Sequence, residues 1–204
     1  MITFVIFHGA FGDSGENWFP YLKENLEGMG QKVLIPQFPV ESWAEMTKMG
    51  PEKSFHKQNL ASWFETFEKY IDGFKADKVC FVGHSLGCLF ILHAVRKYNL
   101  RVDSAIFVSP FLTKLHKSWQ IDIVNRTFYK KDFDRGKLRD LIGISWVIYS
   151  DNDPYVDKNQ PEIFAKNLNS IQIIIKGAGH INSEMGYNKF PLVLELCIKR
   201  LTGS

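Results

Sequence analysis

Ser85 sits at the centre of Gly83-His84-Ser85-Leu86-Gly87, and the company it keeps points to nucleophilic chemistry. The pentapeptide follows the apolar run Val79-Cys80-Phe81-Val82 and precedes the helical run Cys88-Leu89-Phe90-Ile91-Leu92. That strand-turn-helix setting is where a G-x-S-x-G sequence presents a serine hydroxyl at the carboxyl edge of a sheet. The turn is tight, so a Cβ at Gly83 or Gly87 is expected to strike neighbouring backbone. The bland alternative is that Ser85 only caps the helix after it. A serine hydroxyl is a weak nucleophile until a base takes its proton. His180, in Gly177-Ala178-Gly179-His180-Ile181-Asn182, is the candidate base. Its loop follows the run Ile171 to Ile175, which puts it at the same sheet edge as Ser85, and the small residues before it permit a close approach. The remaining histidines weighed for this role read as structural: His84 points away from the chemistry, His56 and His116 lie in polar surface stretches, and His93 lies inside the helix after Ser85.

An acid that orients the imidazole belongs between Ser85 and His180 in chain order. Asp151 and Asp153 compete in the turn Ser150-Asp151-Asn152-Asp153-Pro154, with Asp157 a distant third. Asp153 is preferred because Pro154 rigidifies the turn and a fixed carboxylate holds one tautomer; Asp151 reads as a solvated turn residue. Attack of the hydroxyl on a carbonyl develops an oxyanion, which needs donors placed in advance. One is the Leu86 amide; the other is expected from His8-Gly9-Ala10-Phe11-Gly12, with Ala10 preferred and Phe11 next. Phe11, Trp18, Trp119, Phe128 and Tyr155 are candidates for a mostly apolar substrate pocket, each with a core or surface role as the alternative.

These loops need a scaffold. Apolar, β-rich runs at Thr3 to Phe7, Lys32 to Ile35, Lys78 to Val82, Ser104 to Val108, Ser145 to Tyr149 and Ile171 to Ile175 read as strands buried on both faces. Helical segments lie between them: Trp18 to Glu27, Asn59 to Ile71, Leu86 to Tyr98, Glu162 to Leu168 and Phe190 to Leu201. Strand and helix in alternation predict a parallel α/β sheet of about six strands with helices on both faces and a minimal cap or none. In the last helix Val193, Leu194, Cys197, Ile198 and Leu201 form the apolar stripe, with Leu192, Leu196 and Lys199 on a flank. The long stretch Phe111 to Ile142 is either a small lid or a crossover with long loops.

With 204 residues the chain reads as one domain over residues 1–204. Hydrophobic residues at 45% and charged residues at 23% are ordinary for a packed globular fold, which excludes a disordered or fibrous chain. The net charge of +3 is spread without a basic run, so nucleic acid is not an expected partner. Cys80, Cys88 and Cys197 have neither disulfide nor zinc spacing and suit a reducing compartment. The N-terminal segment lacks the features of a signal peptide and no run has the length of a membrane span, so a cytoplasmic protein without membrane association is expected. The glycines at 9, 12 and 15 match neither a dinucleotide fingerprint nor a P-loop, and no residue cluster has metal-ligand spacing, so no cofactor and no metal are expected.

Together, the Gly83 to Gly87 elbow, the Ser150 to Pro154 turn and the Gly177 to Asn182 loop resemble the small serine hydrolases of the retinoblastoma-binding protein 9 and YdeN-like family, across nearly the whole chain. The resemblance implies a single-domain α/β-hydrolase fold with Ser85 as nucleophile, His180 as base and, immediately before the proline, Asp153 as acid. Phe128 to Leu141 looks like that family's short insertion before the acid-bearing strand. The stretch Gln37 to Phe55 is longer than in the smallest relatives. The L-x-C-x-E pattern is absent, since Cys197 lies in Leu196-Cys197-Ile198-Lys199, so the retinoblastoma partner is not implied. The expected activity is carboxylesterase-like hydrolysis of a small-molecule ester through an acyl-enzyme, with amides second and acyl transfer to another acceptor left open. The competing reading is a non-catalytic protein-interaction module that keeps the fold, since fold does not dictate function; the survival of all three triad positions and both oxyanion loops weighs against it.

Overall fold

The computed structural model describes residues 1–74, 78–129 and 132–202. Its apolar runs form β1 (Ile2–Phe7), β2 (Lys32–Leu34), β3 (Lys78–His84), β4 (Val102–Val108), β5 (Ile142–Ser150) and β6 (Ile171–Ile175). All neighbours pair in parallel, in the order β2-β1-β3-β4-β5-β6. Successive side chains alternate between faces. Phe4, Ile6, Cys80, Val82, Ile106 and Val108 join a core with α1 (Phe19–Gly28) and α8 (Pro191–Thr202). Val5, Phe7, Phe81, Ala105, Phe107 and Val147 join a second core with α3 (Leu60–Ile71), α4 (Leu86–Tyr98), α6 (Arg135–Leu141) and α7 (Asn159–Leu168). Two helical layers thus sandwich one sheet, as the sequence predicts.

The chain runs outward from β1 to β2 and then returns past β1 to β3. A reversal of this kind leaves a crevice at the carboxyl ends of the strands where the order changes. The loops after β1 and β3 flank that crevice.

Several expectations need correction. β6 is an edge strand rather than a doubly buried one: Ile171 and Ile174 are about half exposed because no strand among the described residues pairs beyond it. Leu196, expected on a flank of α8, is buried in the first core. α7 begins before Glu162, since Pro161 falls in its first turn, where a missing N–H costs nothing. Three seven-residue helices went unread: α2 (Trp43–Met49), α5 (Trp119–Asn125) and α6. Each starts at a readable cap, where Ser42, Ser118 and Asp134 accept from the amides of Glu45, Ile121 and Lys137. The Phe111 to Ile142 stretch holds α5 and α6, the latter packed into the helical layer with α4 and α7. No described helix is long and apolar enough to cross a membrane.

Candidate active site

β3 ends at His84 and α4 starts at Leu86, leaving Ser85 alone to make the turn. Its φ of 53° and ψ of −119° are conformations an L-residue rarely adopts, at a cost of about 1–3 kcal/mol. Packing enforces them. The Ser85 amide donates to the Val108 carbonyl at 2.8 Å, extending the β3–β4 ladder. A Cβ at Gly87 would overlap the carbonyl oxygens of Phe7 and His8, and one at Gly83 would lie 2.9 Å from the Cys88 nitrogen. Ser85 occupies the N-cap position of α4, yet its side chain makes no capping bond. The hydroxyl is therefore not spent on the structural role that was the alternative. The Leu86 amide, in the first turn of α4, belongs to the donors that a helix leaves without an internal acceptor.

The loop carrying His180 is fastened to the turn after β5 residue by residue. The side chains of Asp151, Ser150 and Asn152 accept from the amides of Gly177, Ala178 and Gly179 at 2.8, 2.9 and 2.8 Å. Asp153 Oδ2 accepts from His180 Nδ1 at 2.8 Å, with both side chains nearly excluded from solvent. The other oxygen, Oδ1, accepts from the Tyr155 and Val156 amides at 2.9 and 3.0 Å. Burial alone would raise the Asp153 carboxyl, but the hydrogen bond and charge of His180 and the two amides outweigh it and hold it below its ordinary value. An ionised carboxylate can only accept, so Nδ1 carries the proton and Nε2 is left as the basic nitrogen. Asp151 is exposed, but it holds Gly177 rather than serving as a solvated bystander. Ser150 and Asn152 were not read from the sequence; polar side chains in a turn carry no signal that says which distant amide they meet.

His84 completes this support. It is buried, and desolvation, with the neighbouring His180 adding to it, pushes its pKa down to about 3. Its Nε2 lies 3.0 Å from the His180 carbonyl oxygen and donates to it, while the two rings meet edge to face at 4.9 Å. Ser109 Oγ donates to the same carbonyl at 3.3 Å, and Trp18 Nε1 donates to the next one, Ile181, at 3.1 Å. The His84 ring is thus committed to the backbone of the candidate base. His93 is likewise structural, donating to the Phe128 carbonyl at 2.7 Å, and His56 and His116 are exposed.

The loop after β1 closes the other side. A Cβ on Gly9 would lie 3.1 Å from the Cβ of Ser85, so the loop packs directly on the serine. His8, not weighed among the candidate histidines, shapes it. The Phe38 amide donates to His8 Nε2 at 2.9 Å, which forces the proton onto Nδ1, and Nδ1 donates to the Gly9 carbonyl at 2.8 Å. Burial lowers its pKa and keeps the ring neutral. Because the peptide is planar, fixing the Gly9 carbonyl also fixes the direction of the Ala10 N–H. The Phe11 amide, the second of the two donors considered, is committed to Gln58 Oε1 at 3.1 Å.

The aromatic candidates divide. Trp18 and Phe128 are fully buried, one in each core. Phe11 and Trp119 pack in a small apolar cluster with Met46, Phe55 and Val124 beside Ala10. Tyr155 meets the His180 ring edge to face at 5.1 Å and donates its hydroxyl to Glu184 at 3.2 Å. Periodicity shows that an aromatic is apolar and regularly placed but not which surface it meets. A groove of about 380 Å³ runs along α2, lined by Glu41, Glu45, Met49, Ser54, Phe55, His56 and Lys57, and includes none of the candidate site residues. Among the described residues no group of side chains could hold a metal ion.

The fold recurs in solved structures. The ydeN gene product of Bacillus subtilis superposes with a TM-score of 0.80 at 23% identity, covering 98% of each chain. Est1E of Butyrivibrio proteoclasticus, solved with ferulic acid bound, superposes with a TM-score of 0.67 at 16% identity, covering 100% of this chain and 89% of that one. In sequence, YdeN of B. subtilis is 25% identical over 193 residues, which is 94% of this chain and 92% of YdeN. The family model for serine hydrolases matches residues 4–199, nearly the full length, and the chain belongs to that family of hydrolases.

Proposed function

We propose that the protein is a carboxylesterase that hydrolyses small acyl esters through an acyl-enzyme on Ser85. The observation that carries the reading is a strained serine whose side chain makes no capping bond, next in the chain to His84, which holds the carbonyl of His180, whose Nδ1 is in turn bound to a buried carboxylate. In the reaction His180 Nε2 takes the Ser85 proton as Oγ attacks the ester carbonyl, and Asp153 stabilises the imidazolium. The Leu86 and Ala10 amides receive the oxyanion. Collapse expels the alcohol, which takes the proton from His180, and water repeats the cycle to release the acid. Catalytic hydrogen bonds commonly tighten only when substrate arrives, and the Ser85–His180 bond forms at that point. The alcohol moiety and acyl group would face the apolar cluster around Phe11 and Trp119 and the Tyr155 ring. The buried, unpaired thiols of Cys80, Cys88 and Cys197 support a reducing, cytoplasmic setting, which fractionation of the native source would check.

A fluorophosphonate probe should label the wild-type protein at Ser85 and fail on Ser85→Ala. With p-nitrophenyl esters of increasing acyl length, Ser85→Ala should lose on the order of 10⁶ in turnover and Asp153→Asn about 10⁴. A folded wild type that neither labels nor turns over any ester would leave the interaction-module reading in place.

A further inference from the structure

We propose that Gln58 is a positioning residue for the oxyanion site: it holds the loop after β1 by the Phe11 amide and braces that loop against α5 through Asn125. The inference rests on the reading that the Ala10 amide is an oxyanion donor.

The geometry leaves Gln58 a single orientation. A backbone N–H can only donate, so Oε1 must face Phe11, where the distance is 3.1 Å. The Nε2 group then faces the other way and donates to Asn125 Oδ1, also at 3.1 Å. Gln58 is 3% exposed and Asn125, the last residue of α5, is 1% exposed. Breaking either bond strands a polar group away from water, which costs more than an exposed hydrogen bond is worth. Asn125 is itself fixed, since its carbonyl accepts from the Phe128 amide at 2.9 Å.

What the brace holds would not hold itself. Phe11 has a φ of 56°, unfavourable for a bulky side chain, so without an external partner for its amide this residue would relax to negative φ. That relaxation would rotate the Ala10–Phe11 peptide plane, which adjoins the plane containing the Ala10 N–H. His8 fixes one of these planes and Gln58 the other. The Phe11 ring, held in this conformation, packs edge to face on Trp43 of α2 at 5.2 Å. α2 and α5 are in turn joined by the bond from Gln120 Nε2 to Thr47 Oγ1 at 3.2 Å. Loop, α2 and α5 therefore form one unit, with Gln58 as its buried polar link. Gln58 touches no reacting atom, so its loss should weaken transition-state binding more than substrate binding.

The test compares wild type with Gln58→Leu, Gln58→Glu, Asn125→Leu and the Gln58→Leu/Asn125→Leu double variant. Each is assayed for kcat and KM on p-nitrophenyl acetate, for the rate of fluorophosphonate labelling, and for urea denaturation. Removing an oxyanion donor outright costs about 10²–10³ in kcat, so misplacing one in Gln58→Leu should cost roughly tenfold to a hundredfold, with KM changing less than about threefold. Asn125→Leu should lose less than Gln58→Leu, and the double variant no more than Gln58→Leu, because both residues act through one chain of bonds. Gln58→Glu keeps an acceptor for Phe11 but no donor for Asn125; it should fall between wild type and Gln58→Leu, and it carries the test if Gln58→Leu does not fold. Folded variants with wild-type kcat and labelling rate but a lower denaturation midpoint would overturn the inference while leaving the esterase reading intact. A wild type unreactive towards the probe would overturn both.

Discussion

The loops after β1 and β3 each lend one backbone amide to the proposed oxyanion site, yet they are held by different means. The β3 loop is shaped mainly by backbone: a ladder bond from the Ser85 amide, and glycines at 83 and 87 where neighbouring main chain, joined at Gly83 by the Ile91 side chain, leaves no room for a Cβ. The β1 loop is shaped by polar side chains, one its own and one distant in the chain, with His8 holding Gly9 and Gln58 holding Phe11. Steric constraint of the first kind is short-ranged and all-or-none. Polar bracing of the second kind is graded, and it can be altered without changing the loop's own sequence.

The largest effect that separates the two should come from paired glycine substitutions. Gly87→Ala forces a Cβ into the carbonyls of Phe7 and His8, at the carboxyl end of β1, and should cost about 3 kcal/mol or more of stability along with most of the activity. Gly12→Ala in the β1 loop brings its Cβ to 3.0 Å from the Gly9 oxygen and 3.2 Å from His8 Nδ1, a crowding that a braced loop can absorb by a small shift. About 1 kcal/mol is expected there. Urea denaturation of both variants is the measurement, and equal losses would erase the distinction.

A smaller effect concerns the histidines beside the two loops. In the folded protein His84 titrates near 3, well below its ordinary 6.5, because burial, and then the neighbouring His180, disfavour its charged form. Below about pH 6.5 the unfolded chain binds a proton that the folded chain refuses. Stability from this group is therefore complete above that pH and drains away as pH falls towards the folded value, at about 1.4 kcal/mol per pH unit. His84→Gln retains a donor for the His180 carbonyl and cannot titrate, so its stability should fall with one proton's less slope between pH 6 and about 4. His8 has a lowered pKa from the same main cause, and its own contribution should survive in that variant. Denaturation at a series of pH values would show identical slopes if His84 did not matter.

Much of the architecture could be read from residue order. Near-continuous apolar runs separated by helical segments fix a parallel sheet, and the β3 elbow is legible because the glycines that answer its constraints, Gly83 and Gly87, lie within two residues of Ser85. The positions of Ser85, Asp153 and His180 at strand ends follow from the same local logic, and the proline after Asp153 marks the rigid turn. The short helices α2, α5 and α6 escaped because seven residues give too little periodicity, although each cap was visible. Trp18 and Phe128 take the core role that stands beside the pocket reading, and β6 is an edge strand rather than a buried one, for a related reason: an apolar side chain declares that it avoids water, not which neighbour covers it.

What the sequence by itself determined is the set of groups and the edge of the sheet on which they stand, since strand, turn and helix propensities act over a few residues. Only the tertiary structure decided how those groups are aimed. Ser150, Asp151 and Asn152 meet amides more than twenty residues away, His84 meets the His180 carbonyl across 96 residues, and Gln58 joins Phe11 to Asn125 across 47 and 67. A hydrogen bond depends on distance and angle in space, and chain separation carries almost no information about either.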